Sequence, residues 1–225
     1  GLAIAERLAQ ADPGNAGWQR DLSVSHEKLG DVLVAQGNLP DALTAYRASL
    51  AIRERLAQAD PGNAGWQRDL SVSHNRLGDV LVAQGNLTEA LTAYRAGLAI
   101  AERLAQADPG NAGWQRDLSV SHNKLGDVLV AQGNLPEALT AYRASLAIRE
   151  RLAQADPGNA GWQRDLAVSH GKLGIAYLQA GDRDQARQQF MQGRAISATL
   201  VAKYPDWVQW KQDLANFDRF LGMLK

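Results

Sequence analysis

The sequence predicts an all-α protein built as a solenoid of antiparallel helix pairs, and three observations carry that expectation. The chain repeats itself every 48 residues: Trp18, Trp66, Trp114, Trp162 and Trp210 recur at that interval, as do His26, His74, His122 and His170. Inside each copy the apolar residues fall three and four apart, the spacing of one helix face. Between those stretches stand Asp-Pro and Gly-Asn-Leu or their variants, residue types that end one helix and begin the next. Repetition at this period places a whole supersecondary unit in each copy, and no such unit can bury its apolar side without a neighbour.

The elements follow in order. Gly1-Leu2-Ala3-Ile4-Ala5-Glu6-Arg7 matches Gly97-Leu98-Ala99-Ile100-Ala101-Glu102-Arg103, so residues 1–12 are expected to be a partial second helix, B, of a pair cut from a longer array. Four repeats follow at 13–60, 61–108, 109–156 and 157–204. In the second, Asp60-Pro61 is expected to open helix A, because Asp caps a helix start and the missing N–H of proline is no loss in a first turn. Trp66, Leu70, Leu77 and Leu81 then mark its apolar face, and Gly85 suits the left-handed C-terminal position. Helix B starts, in the third copy, at Asn134-Leu135-Pro136-Glu137, a cap with an acid three residues on, and runs through Leu139, Tyr142, Leu146 and Leu152.

The copies are nearly identical. Residues 61–108 differ from 109–156 only at Arg76/Lys124, Thr88/Pro136, Gly97/Ser145 and Ala101/Arg149, and 13–60 differ from 109–156 only at Glu27/Asn123 and Asp41/Glu137. The fourth copy drifts after Gly174. Residues 205–225 align with a helix A by Trp210 and Asp213-Leu214 and lack a partner; Trp207, Trp210, Leu214, Phe217 and Leu221 form a stripe expected of a C-terminal capping helix. The whole reads as one repeat domain over 1–225.

Composition excludes several functions. The 225 residues hold 24 Lys and Arg against 24 Asp and Glu, so no long-range field draws a phosphate backbone or anionic lipid, and neither nucleic acid nor membrane is expected as a partner. There is no cysteine, hence no disulfide framework and no thiolate, which favours a reducing compartment; a bacterial cytoplasm is the expected location. No apolar run approaches the roughly 18 residues of a membrane span.

The landmarks resemble the tetratricopeptide repeat (TPR), whose pattern is Trp-x2-Leu-Gly-x2-Tyr, then Ala-x3-Phe, then Pro. The fourth copy has Leu173-Gly174-x2-Tyr177 followed by Ala186-x3-Phe190; the first has Leu29-Gly30-x2-Leu33 with Ala42-x3-Tyr46. Gly30, Gly78, Gly126 and Gly174 stand inside a helix, where glycine costs about 1 kcal/mol against alanine, so close packing is expected there. Histidine occupies the family's first Trp position, the closing proline comes later, and the period is longer, which makes this an extended 48-residue variant. The run Leu50-Ala51-Ile52-Arg53-Glu54-Arg55-Leu56 with its following Asp-Pro is similar to the long-helix repeats of kinesin light chain. The resemblance implies a right-handed α-solenoid, a TPR-like superhelix, that is not an enzyme and holds a peptide or partner segment in a concave groove lined by A helices.

No constellation for catalysis or metal binding emerges. Histidines repeating once per helix pair lie on layers about 8–10 Å apart and cannot converge on one ion; each is expected to be structural, with His26 packed between helices and one ring nitrogen bonded. Ser23, Ser25 and His26 are too close along one helix to form a relay. Asp182 and Asp184 read as acidic residues at a helix start. Asn86-Leu87-Thr88 forms a sequon by chance in a chain with no secretion signal. No phosphate-cradling glycine loop occurs, and neither cofactor nor metal is expected. In Trp18-Gln19-Arg20 the following Asp21 cancels the charge.

If helix A lines the groove, Asn75 and Asn123, flanked by Asp79 and Asp127 and by Arg76 and Lys124, are expected to recur as polar ladders on its exposed face, with Ser71 alongside. Asparagine both donates and accepts, which suits it to an extended peptide backbone. Lys28 and Lys172 complete a basic register shared with Arg76 and Lys124. Residues 157–204 carry six Lys and Arg against three Asp and Glu, so an acidic partner segment is expected to orient toward Lys172, Arg183, Arg187 and Arg194. Two other readings stand beside the scaffold. One is self-assembly into homo-oligomers through the solenoid ends, where Leu2, Ile4 and Leu8 are apolar; the other is the sensor arm of a larger signalling ATPase.

Overall fold

A computed structural model describes residues 1–224. Among them lie ten helices and no strand: α1 Leu2–Ala11, α2 Ala16–Ala35, α3 Leu39–Ala59, α4 Ala64–Ala83, α5 Leu87–Ala107, α6 Ala112–Ala131, α7 Leu135–Ala155, α8 Ala160–Gln179, α9 Arg183–Lys203 and α10 Val208–Gly222. Even-numbered helices are the A helices of the sequence, odd-numbered ones the B helices. The last residue of the expected capping helix, Lys225, lies outside the described residues. Contacts divide the chain into two compact units, Gly1–Asp108 and Pro109 onward.

In the first unit α1 packs on α2, α2 on α3, α3 on α4 and α4 on α5. The pairs are antiparallel, since Ser23 meets Arg53 near one end of α2 and α3 while Asp31 meets Tyr46 nearer the other. In the second unit α6 packs on α7, α7 on α8, α8 on α9 and α9 on α10. A helix of 20 residues is about 30 Å long.

The turns explain the boundaries. The helices α2, α4, α6 and α8 each end at a glycine with positive φ, 80° at Gly85. There the Gly85 N–H donates to Val82 at 2.9 Å and the Asn86 N–H to Leu81 at 2.8 Å, the paired bonds that satisfy the last carbonyls. After Gly133 the asparagine caps the next helix: Asn134 Oδ1 accepts from the Glu137 N–H at 3.5 Å, and its amide donates to the Glu137 carboxylate at 2.7 Å. The opening of helix A departs from expectation. Asp60 closes α3, its N–H donating to Leu56 O at 3.2 Å, and α4 starts only at Ala64. Asn63 supplies the cap by accepting from the Trp66 N–H at 3.1 Å. Proline disfavours helical geometry in the residue before it, so Asp60 leaves the helix and Pro61-Gly62 become the turn.

The helix glycines serve close packing. A Cβ added at Gly30 would lie 2.7 Å from the Tyr46 ring, at Gly126 2.5 Å from Tyr142, and at Gly174 2.5 Å from Phe190. Around one such contact Ala42, Tyr46 and Val80 form a core cluster with Leu33, Leu39, Leu43 and Leu77, so successive pairs share one apolar interior within the unit.

Candidate functional site

The faces of the A helices hold the residues singled out from the sequence, and the structure places them unevenly. Asp31, Asp79 and Asp127 each accept a hydrogen bond from the tyrosine of their own B helix, Tyr46, Tyr94 and Tyr142, at 2.8, 2.7 and 2.7 Å. Burial and these carboxylates push the Tyr46 and Tyr142 phenols well above their ordinary range. Lys172 reaches back one repeat to Asp127, with Nζ donating at 2.6 and 2.8 Å to its two oxygens. Lys28, more exposed, lies 3.7 Å from Asp31; Arg76 is exposed and Lys124 half-buried in the same register.

The expected asparagine ladder is not an exposed one. Asn123 is only 4% exposed. With the amide oriented to suit its neighbours, Oδ1 accepts from Arg149 Nη1 and Nη2 at 3.2 and 3.1 Å, and Nδ2 donates to Ser145 Oγ at 3.0 Å. The half-buried Asn75 likewise turns inward, its Oδ1 3.1 Å from where a Cβ on Gly97 would stand. Ser71 is buried and donates to Gly97 O at 2.8 Å. These side chains face helix B because Gly97 and Ser145 leave room and acceptors there, a fact that helical periodicity does not contain.

Arginine at the B-helix interior is the feature that sequence reasoning missed. Arg53 is 4% exposed, donates to Ser23 Oγ at 3.2 Å, Asp69 O at 3.2 Å and Ser73 Oγ at 2.7 Å, and pairs with Glu27 at 2.7 Å. Arg149 donates to Ser119 Oγ at 3.1 Å and Asp165 O at 2.6 Å, but Asn123 stands where Arg53 has a carboxylate. Burial pushes the Arg149 guanidinium below its ordinary value, with Asp165 opposing. The signal was a charged residue between Ile52 and Leu56, on the apolar stripe. A second missed feature is a ladder at 49-residue spacing: Arg20 to Asp69, Arg116 to Asp165 and Arg164 to Asp213, at 2.7, 2.6 and 2.7 Å. Arg20 is matched by the next repeat, not cancelled by Asp21.

The basic surplus of residues 157–204 is largely committed to α10. Arg183 donates to Met223 O at 3.4 Å, Arg187 to Leu224 O, and Arg194 pairs with Asp218 at 2.5 Å, so two guanidinium groups satisfy carbonyls at the C-terminal end of that helix. Phe190 stacks on Phe220 at 4.8 Å, and Trp210 and Phe217 are buried. Trp207 stands as the N-cap residue and is 57% exposed.

Burial lowers the pKa of His74, His122 and His170. His170 Nδ1 is bonded to Gln189 Oε1 at 2.8 Å, while Nδ1 of His122 is buried without a partner. Among the described residues no three His, Asp or Glu side chains gather as metal ligands, and no helix is long and apolar enough to cross a membrane.

Between α8 and α10 a hollow of about 160 Å³ opens, walled by Val168, Gly171, Lys172, Ile175, Phe217 and Phe220. It exists because the fourth copy departs from the others: Gly171 stands where they have Glu27, Asn75 and Asn123, and Ile175 and Phe190 replace the Asp and Tyr of the hydrogen-bonded pair. Two larger hollows, about 470 and 420 Å³, lie at the turn ends beside Pro109 and Pro157. These two recur at the repeat spacing and belong to its regular packing.

Two family models, both for the tetratricopeptide repeat, match residues 116–198 and residues 27–61 with 73–109, together more than half of the chain. No curated protein matches. The fold is similar to the crystal structure of BtubC (BKLC) from P. vanneervenii, with TM-score 0.65, 17% identity, and 99% of this chain and 87% of that one covered. It is also similar to the nearly identical TPR-like repeats of a candidate kinesin light chain from Podosopora anserina, with TM-score 0.64, 20% identity, and 91% and 89% covered. A third similar structure is the apo form of RapI, with TM-score 0.65, 12% identity, and 97% and 53% covered. At these identities the likeness shows the fold, and the family models, the helix-pair repeat and the glycine-to-ring contacts agree: the chain belongs to the tetratricopeptide repeat family.

Proposed function

We propose that this chain is a protein-interaction scaffold that binds a peptide segment along the A-helix faces of its second unit, with the hollow between α8 and α10 as the anchoring point. The hollow is the observation that carries the reading. Elsewhere in the array the corresponding positions are filled by carboxylate–tyrosine pairs and inward-turned amides, which leave a partner little to grip. At α8 the same positions become Gly171 and Ile175, and an apolar recess with a few polar groups at its rim is the usual form of a side-chain binding site. The family's members generally act as scaffolds and not as enzymes, which fits a face without a nucleophile–base pair. The test is to pan an unbiased peptide library against the chain and cross-link the enriched peptides through benzoylphenylalanine, placed either at position 124 on α6 or at position 140 on α7. Cross-linking from 124 alone supports the reading; cross-linking from 140 alone sinks it.

A further inference from the structure

We infer that the α8/α10 hollow selects peptides in which a bulky aliphatic side chain lies within three residues of an acidic one, the apolar group entering the hollow and the carboxylate lying toward Lys172. The inference deepens the peptide-binding reading and rests on it. Val168, Ile175, Phe217 and Phe220 supply apolar walls on both helices, so the entering group gains by leaving water. Gly171 leaves the floor open. A Cβ there would meet the Phe217 ring only at 3.4 Å, ordinary contact, so packing does not demand glycine as it does at Gly174.

Charge decides what lies beside the apolar group. Asp213, in the α10 wall, is already matched by Arg164 at 2.7 Å. Lys172, in the α8 wall, shares Asp127, whose oxygens also serve Tyr142. Behind it Arg149 meets the amide of Asn123 where the first repeat supplies Glu27. The edge from α6 to α8 thus sets three cationic groups, Lys172, Arg149 and Arg116, around the two carboxylates of Asp127 and Asp165. An added carboxylate meets a favourable potential there, and a lysine or arginine meets a repulsive one. In the first repeat, Glu27 supplies the counter-charge that this edge lacks.

The experiment pans a random twelve-residue phage-displayed library on the parent chain. Enriched clones are then measured on Gly171→Asn, which restores the residue of the second and third repeats, and on Lys172→Gln, with thermal melts confirming that both fold. The expected result is a shared acidic–aliphatic pair, binding at least tenfold weaker on Gly171→Asn, and a smaller loss on Lys172→Gln that shrinks further in high salt. Enriched peptides that lack such a pair, or that bind Gly171→Asn as well as the parent, overturn the inference and leave the scaffold reading standing. A library that yields no binder overturns both.

Discussion

The guanidinium of Arg149 is held by the amide of Asn123, at 3.1 and 3.2 Å, in the place where Arg53 is held by the carboxylate of Glu27 at 2.7 Å. Two copies that differ at two positions in 48 therefore satisfy the donors of the same buried guanidinium in different ways, one with a counter-charge and one without. Removing one partner of a buried pair leaves an uncompensated charge and costs about 3 kcal/mol. Glu27→Ala is expected to lose that much in urea unfolding. Glu27→Asn should lose under about 1 kcal/mol, because the third repeat shows that an amide fits the guanidinium and meets its donors. Equal losses in the two variants would refute the equivalence of the two layers.

Two glycines on neighbouring A helices should respond with opposite signs. Gly126→Ala forces a methyl group to 2.5 Å from the Tyr142 ring, an overpacking that costs about 1–3 kcal/mol and outweighs the roughly 1 kcal/mol that alanine gains in a helix. At Gly171 the nearest atom would be 3.4 Å away, so Gly171→Ala should raise stability by up to about 1 kcal/mol. Chemical denaturation of both variants checks the signs.

Stability should fall on mild acidification. Burial holds His74, His122 and His170 below their ordinary 6.5 in the folded chain, with the Gln189 bond partly opposing it at His170. The unfolded chain therefore binds more protons as pH drops through 6.5, and the stabilisation present above that value is progressively lost below it. Urea midpoints measured from pH 7.5 to 5 should decline, and the decline should be shallower in His122→Asn. An unchanged slope in that variant would remove His122 from the account.

The capping helix should loosen without the array unfolding. Arg183 and Arg187 hold carbonyls at the end of α10, and Arg194 pairs with Asp218. In Arg187→Leu with Arg194→Leu, hydrogen exchange is expected to speed at α10 amides at least tenfold while α6 and α7 keep their protection. Uniform acceleration across the second unit would show that these contacts support more than the cap.

The repeat period, the number and kind of helices, the left-handed glycines and the need for small residues at Gly30, Gly78, Gly126 and Gly174 were legible in the sequence, because each is a local or periodic property of the chain. The Asp60-Pro61 boundary was misplaced by three residues, since Asp and Asn both cap helices and only the turn geometry shows that Asn63 does so here. The faces of the A helices were harder to read. Periodicity gives the side of a helix on which Asn75 and Asn123 stand but not which neighbour they meet, and the room beside Gly97 and the Ser145 hydroxyl turned them inward. The partners of Arg20 and Arg164 lie 49 residues away, and Arg53 meets Glu27 across a helix pair, so those pairings exist only once the helices are packed. Sequence by itself determined the repeating unit, because hydrogen bonding within helices and turns is short-range; tertiary structure decided which polar groups are consumed within the array and where, between α8 and α10, an apolar hollow is left.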